Sequence, residues 1–391
     1  MIGLYILCIA LLGLSYISSN RNIFAPAVIT SAVWFVCLSL FFLLHHNLPP
    51  LSTQFITGLS LWMTLLCLSS LFMQSLSVNS KIRNPSRLMR NIYFYISIAT
   101  FPLLLYFAYT AIKTGTTGNW ALDLRRATLG ISSHDSSEAY TPFYFLIWNS
   151  AFLIELLYAS KRNLGRLIIL AFFCIAFGVL TMSKAMMLNF FTMTLTLLVF
   201  KKVINSKHVL ISIVALLLFF IGLQSIRHSA KLDDDQTEDM FVTYALGSMS
   251  SFETLKPKSS YHSGENVFRL YYVLGYKTGL SNVKPIYPIL PWVQKPIATN
   301  TYTCMYPLFK DYGYWGIGIF AVLLGFFYGF LFKKAEENDP LFILLYTYFV
   351  YVILMQFSGD VFFTNLAGHI KMYLLLIIPF LASKHHLFEK K

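Results

Sequence analysis

Six cations in this chain, Arg125, Arg126, Lys184, Arg227, Lys231 and Arg269, are of the types that bind an anion. A guanidinium fork matches phosphate or carboxylate oxygens two at a time, and a lysine adds a point charge. Headgroup contact, or pairing with Asp123, Asp233 or Glu265, would account for any one of them. As a group they suit an anionic ligand, and a lipid diphosphate would bring several oxygens to their depth. Proton transfer requires an imidazole or a carboxylate. His262, in Tyr261-His262-Ser263-Gly264-Glu265-Asn266, can accept a proton near neutrality, or simply sit in water. Glu155 lies within an apolar run, either on an ion path or reaching the nearby interface, and Asp360 and His369 bracket a short link near the end.

Signatures of soluble enzymes are absent. The sequence has no glycine-rich loop before Lys-Ser/Thr, no HExxH, no G-x-S-x-G and no paired CxxC. Cys8, Cys37, Cys67 and Cys174 fall inside apolar runs and Cys304 stands alone, which indicates neither disulfides nor a metal site. No metal and no cofactor is expected.

The elements that must position these residues are membrane spans. The chain is 57% hydrophobic and 12% charged, with a mean hydropathy of +0.62, more apolar surface than a soluble core of this size can hide. Eleven segments of roughly 16 to 22 residues approach the length that crosses the hydrocarbon core. They read as 2–18, 26–45, 55–76, 91–112, 142–160, 166–182, 185–200, 208–226, 314–332, 340–357 and 369–383. Residues 2–18 look like a retained helix, since no charged stretch precedes them and no cleavage-type small residues follow.

Orientation follows from the basic residues. With the N-terminus outside, the inner links carry Arg21; Lys81, Arg83, Arg87, Arg90; Lys161, Arg162, Arg166; Lys201, Lys202, Lys207; Lys333, Lys334; and Lys384, Lys390, Lys391. These are sixteen of the thirty cations. The short outer links hold Lys113, Arg125, Arg126, Lys184 and Lys371. The remaining nine lie in residues 227–313, which are too long to obey the orientation rule. The rule predicts N-out, C-in. It also requires a break at Ser183-Lys184, because one continuous helix over 166–200 would export the basic C-terminus. The net charge of +13 is thereby assigned to the inner membrane surface and lipid headgroups, not to nucleic acid.

One integral membrane domain spans 1–391, all-α, with an outer loop at 113–141 and a large outer loop at 227–313 between the eighth and ninth spans. Within the large loop, apolar spacing predicts amphipathic helices over about 237–252 and 264–277. The first would present Met240, Phe241, Tyr244 and Phe252, and the second Phe268, Tyr271, Tyr272 and Tyr276, to the bilayer surface or the bundle top. The prolines from Lys284 to Pro296 exclude regular helix there.

Four features resemble the Wzy-type O-antigen and oligosaccharide repeat-unit polymerases of the bacterial inner membrane. Asn22-Ile23-Phe24-Ala25-Pro26-Ala27-Val28 leading to Trp34 is similar to the start of that family's second span, and Thr181-Met182-Ser183-Lys184 to its tight outer hairpin. Asn300-Thr301-Tyr302-Thr303, running through Lys310-Asp311-Tyr312-Gly313-Tyr314-Trp315-Gly316-Ile317 to Gly325 and Gly329, is similar to the segment after its major periplasmic loop. One dominant outer loop before the last three spans completes the likeness. An Arg followed by ten residues and a Gly, carried by some members, is absent at Arg125, Arg126, Arg227 and Arg269.

The resemblance implies metal-independent glycosyl transfer at the periplasmic face, with the N-terminus periplasmic and the C-terminus cytoplasmic. A glycan would leave undecaprenyl diphosphate for the sugar of another lipid-linked repeat unit, with membrane lipids and a chain-length regulator as partners. It assigns Arg125, Arg126, Lys184, Arg227 and Arg269 to diphosphate or charged-sugar binding. It makes His262 the leading base, with Glu253, Glu265 and Asp311 behind it. The rivals are an O-antigen ligase, which uses the same donor, and a flippase or secondary transporter. A transporter predicts related halves and midplane charge, of which Glu155 is the one example here.

Overall fold

The computed structural model describes residues 2–44, 46, 48–77, 84–130, 140, 142–205, 208, 240–286, 290–291, 293 and 299–382. All of the eighth expected span at 208–226 except His208 lies outside them, as do Arg227 and Lys231, so eleven spans are not established. The described residues are all-helical apart from one antiparallel bridge, Val293 to Thr299. Five helices are long and apolar enough to cross a membrane: α2 (Pro26–Leu43), α3 (Thr53–Ser75), α4 (Arg87–Lys113), α12 (Tyr314–Glu336), and α13 (Pro340–Leu354) with its 3-10 extension Met355–Phe357. Five shorter apolar helices accompany them: α1 (Ile2–Ser18), α6 (Phe143–Leu157), α7 (Leu164–Leu180), α8 (Lys184–Phe200) and α14 (Leu366–Ala382). Large apolar side chains point outward along these helices, such as Ile17 at 75% exposure and Tyr106 at 68%, and lipid is the solvent that accepts them. The protein is membrane-embedded.

The chain divides into two compact units. The first comprises Met1–Asn79, Gln236–Lys334 and Val352–His369. Here α1, α2 and α3 pack together, and α12 lies along α3 on a glycine seam. A Cβ at Gly325 would sit 2.6 Å from the Leu66 carbonyl oxygen, and one at Gly329 2.6 Å from that of Ser70, so only glycine permits this approach. Gln356 locks the apolar interior. Its Oε1 accepts from the indoles of Trp34 (3.3 Å) and Trp62 (2.8 Å), and its Nε2 donates to Thr30 Oγ1 (2.9 Å). Buried indole and amide groups without partners would cost free energy, and here each holds another.

The second unit comprises Ser80–Asp235, Ala335–Tyr351 and Ile370–Lys391. Around α6 pack α4, α7 and α8. A turn at Thr181–Ser183 separates α7 from α8, as charge parity requires, and the Ser183 hydroxyl caps α8 by accepting from Met186 N. Glu155, 1% exposed, is neither wet nor isolated: Arg90 donates to it through Nε (3.2 Å) and Nη2 (2.7 Å), and Asn163 Nδ2 donates at 2.7 Å. Three donors hold its carboxylate in a structural ion pair. Pro379 in α14 lacks the N–H that would bond the Leu375 carbonyl, and the Tyr93 hydroxyl donates to that oxygen instead (2.8 Å).

Three shorter helices complete the outer segments: α5 (Trp120–Leu129), α9 (Met240–Phe252) and α10 (Arg269–Lys277). Over residues 246–252 α9 is buried on every side, with Leu246, Met249 and Phe252 at 0% exposure. This half of α9 is interior instead of resting on the bilayer surface, and the side chains of Met240, Phe241 and Tyr244, on the expected apolar face, lie outside those described. The expectation fits α10, which has no buried residue and exposes Tyr271 and Leu274.

Candidate functional site

The large loop is fastened within the first unit by its carboxylates. Glu253 Oε1 accepts from Ser52 N, the backbone N–H just before α3, at 2.6 Å. Glu265 folds back on its own turn, accepting from Tyr261 N (3.1 Å) and His262 N (3.3 Å). Asp311 lies on α11 (Tyr306–Tyr312), a short helix that Gly313 separates from α12 with a φ of 65°. Its carboxylate accepts from Asn266 N (3.0 Å), Val267 N (2.9 Å), Asn266 Nδ2 (2.6 Å) and the Ser260 hydroxyl. Pinning continues through Ser259 N to the Lys310 carbonyl (2.9 Å). All three acids hold backbone: Asp311 spends both oxygens on four donors, Glu265 accepts one bond on each oxygen, and Glu253 one bond on Oε1. None of the three is among the residues lining the cavity that Arg269 faces.

His262 is exposed on the same turn, its ring 6.3 Å from that of Tyr272. Arg125 and Arg126 sit on α5 in the second unit, Arg125 half-buried and in contact with partners, Arg126 exposed. The same α5 carries Asp123, which accepts from Thr117 N and Oγ1 across a gap that Gly115 keeps open. Lys184, half-buried and also partnered, begins α8 in that unit. Arg269 belongs to the first unit, so the expected cations are not one cluster within either body.

Arg269 is where the geometry concentrates. The Asp311 clamp orders residues 260–267 and so delivers Asn266 and the start of α10 to the edge of a cavity of about 300 Å³. Arg269 and Asn266 line it with Asn300, Tyr302, Tyr306 and Asp360. The Arg269 Nε donates to the Ile286 carbonyl (3.2 Å). No carboxylate lies within ion-pair distance of the guanidinium among the described residues. Burial lowers its pKa from the usual arginine value, the direction expected of a cation stripped of water without a counter-charge. Such a group gains when an anion arrives.

Asp360 supplies the opposite charge in the same cavity, but in a closed turn. Oδ1 accepts from Phe362 N and Phe363 N (3.0 Å each), and Oδ2 from Thr364 N (2.8 Å) and Thr364 Oγ1 (2.9 Å). Burial raises its pKa, and the four hydrogen bonds oppose that rise. Tyr302 and Tyr306 form a tilted ring pair with centroids 4.7 Å apart. The Tyr302 hydroxyl donates to the Pro291 carbonyl (3.1 Å), and burial pushes its pKa up to about 12. Behind Tyr306, Lys310 Nζ donates to the phenol oxygen at 3.1 Å. Sequence reasoning singled out Arg269 and noted Asp360, but had no signal for Asn300, Tyr302 and Tyr306 as a lining, because their convergence depends on the chain path after the proline run. The described residues contain no group of three or more metal-ligating side chains.

Compared with known proteins, the chain matches no family model, no curated protein and no solved structure.

Proposed function

We propose that this protein is a glycosyltransferase of the bacterial inner membrane that joins undecaprenyl-diphosphate-linked repeat units into a surface polysaccharide at the periplasmic face. The observation that carries this reading is the Arg269 guanidinium, half-buried with no carboxylate in ion-pair distance among the described residues, on a cavity of about 300 Å³ that Asn266, Asn300 and Asp360 also line. Departure of a diphosphate needs cations aimed at the developing negative charge, and a site beside the membrane surface meets a substrate held there by its lipid. The charge asymmetry of the links supports an outer position for this cavity, where lipid-borne saccharides await elongation. Arg125, Arg126 and Lys184 would meet the same kind of anion from the second unit. No side chain lining the cavity has the free acceptor capacity of a general base, and His262, exposed beside Tyr272, is the imidazole that could reach an incoming acceptor.

The test is the lipopolysaccharide ladder of a deletion strain complemented with wild type or Arg269→Ala. A polymerase leaves core capped with single repeat units when deleted, regains the ladder with wild type and not with Arg269→Ala. Uncapped core in the deletion strain would identify a ligase instead, and an unchanged ladder would remove the protein from this pathway.

A further inference from the structure

The Arg269 cavity has room for only part of a lipid-linked saccharide, one sugar ring with the anionic group beside it. Its volume of about 300 Å³ lies at the small end of the ~300–1,000 Å³ range of ligand sites, room for one sugar ring rather than an oligosaccharide. Its charge balance is one guanidinium against one carboxylate. Asp360 keeps both oxygens in its own turn, so its negative charge stays in the wall and favours leaving the second phosphate of a lipid diphosphate outside the cavity. Lys310, on the same helix as Tyr306, is not among the lining residues and its ammonium is engaged by the Tyr306 hydroxyl.

The rest of the lining suits a ring bearing hydroxyls. Asn266 spends its Nδ2 on Asp311 and Ser260, which leaves its Oδ1 as an acceptor. Asn300 makes no hydrogen bond among the described residues and offers its whole amide. Tyr302 and Tyr306, 2% and 4% exposed, close the wall, and Ile286, Leu290 and Pro307 give it apolar surface against which the apolar face of a sugar ring can pack.

We infer that this cavity is a subsite for a single sugar ring carrying one anionic group, with Arg269 taking the anion and Asn266, Asn300 and the apolar wall of Ile286, Leu290 and Pro307 taking the ring. The inference rests on the reading that these outer segments handle saccharide. The anion could be the phosphate on the anomeric carbon of a lipid-linked donor or the carboxylate of an acidic sugar in the repeat unit. Both present a planar or tetrahedral set of oxygens to one guanidinium, next to a ring.

Saturation-transfer NMR on the detergent-purified full chain tests this with glucose 1-phosphate, N-acetylglucosamine 1-phosphate, glucuronate and glucose as probes, and with inorganic phosphate as competitor. Transfer to the ring protons of a sugar phosphate or of glucuronate is expected, with glucose at least tenfold weaker. The responding probe tells which source supplies the anion. Arg269→Ala should lose the signal, and Asn300→Ala, which removes no protein hydrogen bond and so spares the fold, should weaken it several-fold. Three outcomes overturn the inference: no probe responds, glucose responds equally and Arg269→Ala retains it, or inorganic phosphate displaces the sugar phosphate at equal concentration. Failure here is distinct from failure of the polymerase reading. Binding with an unchanged polysaccharide ladder in the Arg269→Ala strain keeps the subsite and removes the polymerase; a lost ladder without probe binding does the reverse.

Discussion

Replacing Asp311 separates a clamp from a catalytic base. The carboxylate is 7% exposed and accepts two backbone N–H groups, those of Asn266 and Val267, which are themselves buried. Asp311→Ala would leave both donors without partners. An unsatisfied buried donor costs about 1–3 kcal/mol, so the pair should weaken the local structure by about 2–6 kcal/mol. Even the lower figure changes an opening equilibrium roughly 30-fold. Hydrogen exchange followed by mass spectrometry reads this directly: peptides covering residues 260–268 should exchange at least that much faster, while peptides from the first three helices keep their protection. Because the same clamp presents Asn266 and Arg269, binding to the cavity should fall in proportion. Unchanged exchange at 260–268 with lost function would refute the reasoning and return Asp311 to the role of a base.

Further outcomes follow from the same contacts. Glu155→Gln should lower the thermal midpoint in detergent by an amount reflecting about 3–5 kcal/mol, the cost of breaking a buried pair, because it leaves Arg90 without its counter-ion. Gln356→Leu should destabilise the first unit by about 1–3 kcal/mol for each of the two indoles it orphans, read as a lower midpoint and red-shifted tryptophan emission. Gly325→Val should cost at least about 1–3 kcal/mol through overpacking against the Leu66 carbonyl, seen as loss of the monodisperse detergent peak. Asp360 gives a pH dependence. Burial raises its folded-state pKa above the ordinary carboxylate value, so the folded protein holds the proton more tightly than the unfolded chain. Its contribution to stability therefore rises as pH falls through the raised value, and levels off below the unfolded one. Asp360→Asn should remove that component from midpoints measured between pH 3 and 7.

The sequence made the apolar helices legible because lipid demands long uninterrupted runs, and their ends agree closely with the structure, as at Ile2–Ser18 and Lys184–Phe200. The break at Ser183 could be read only through charge parity, since hydropathy is continuous there. Two short helices were missed. Trp120–Leu129 carried its signals, Asn119 as a side-chain cap and Gly130 closing it in the left-handed region, but its apolar surface is too small to show a period. Tyr306–Tyr312 is shorter still and is ended by backbone geometry at Gly313. The buried character of residues 246–252 was unreadable because the serines there look like a polar face, whereas Ser248 and Ser251 hydroxyls donate to the carbonyls of Phe357 and Thr301. Glu253, Glu265 and Asp311 are the residue types of a base, and only coordinates show that each also holds backbone N–H groups.

The central claim is that the Arg269 cavity opens on the compartment opposite the basic links, and cysteine accessibility measures this most directly. All five native cysteines are buried, so labelling of an introduced thiol has little background. Tyr261, 96% exposed beside the cavity-bearing turn, and Lys161, exposed in a basic link, are suitable positions. In intact cells a membrane-impermeant maleimide should react with Tyr261→Cys and reach Lys161→Cys only after the inner membrane is opened. The opposite pattern would place the cavity in the cytoplasm, away from any lipid-linked polysaccharide precursor, and would contradict the account.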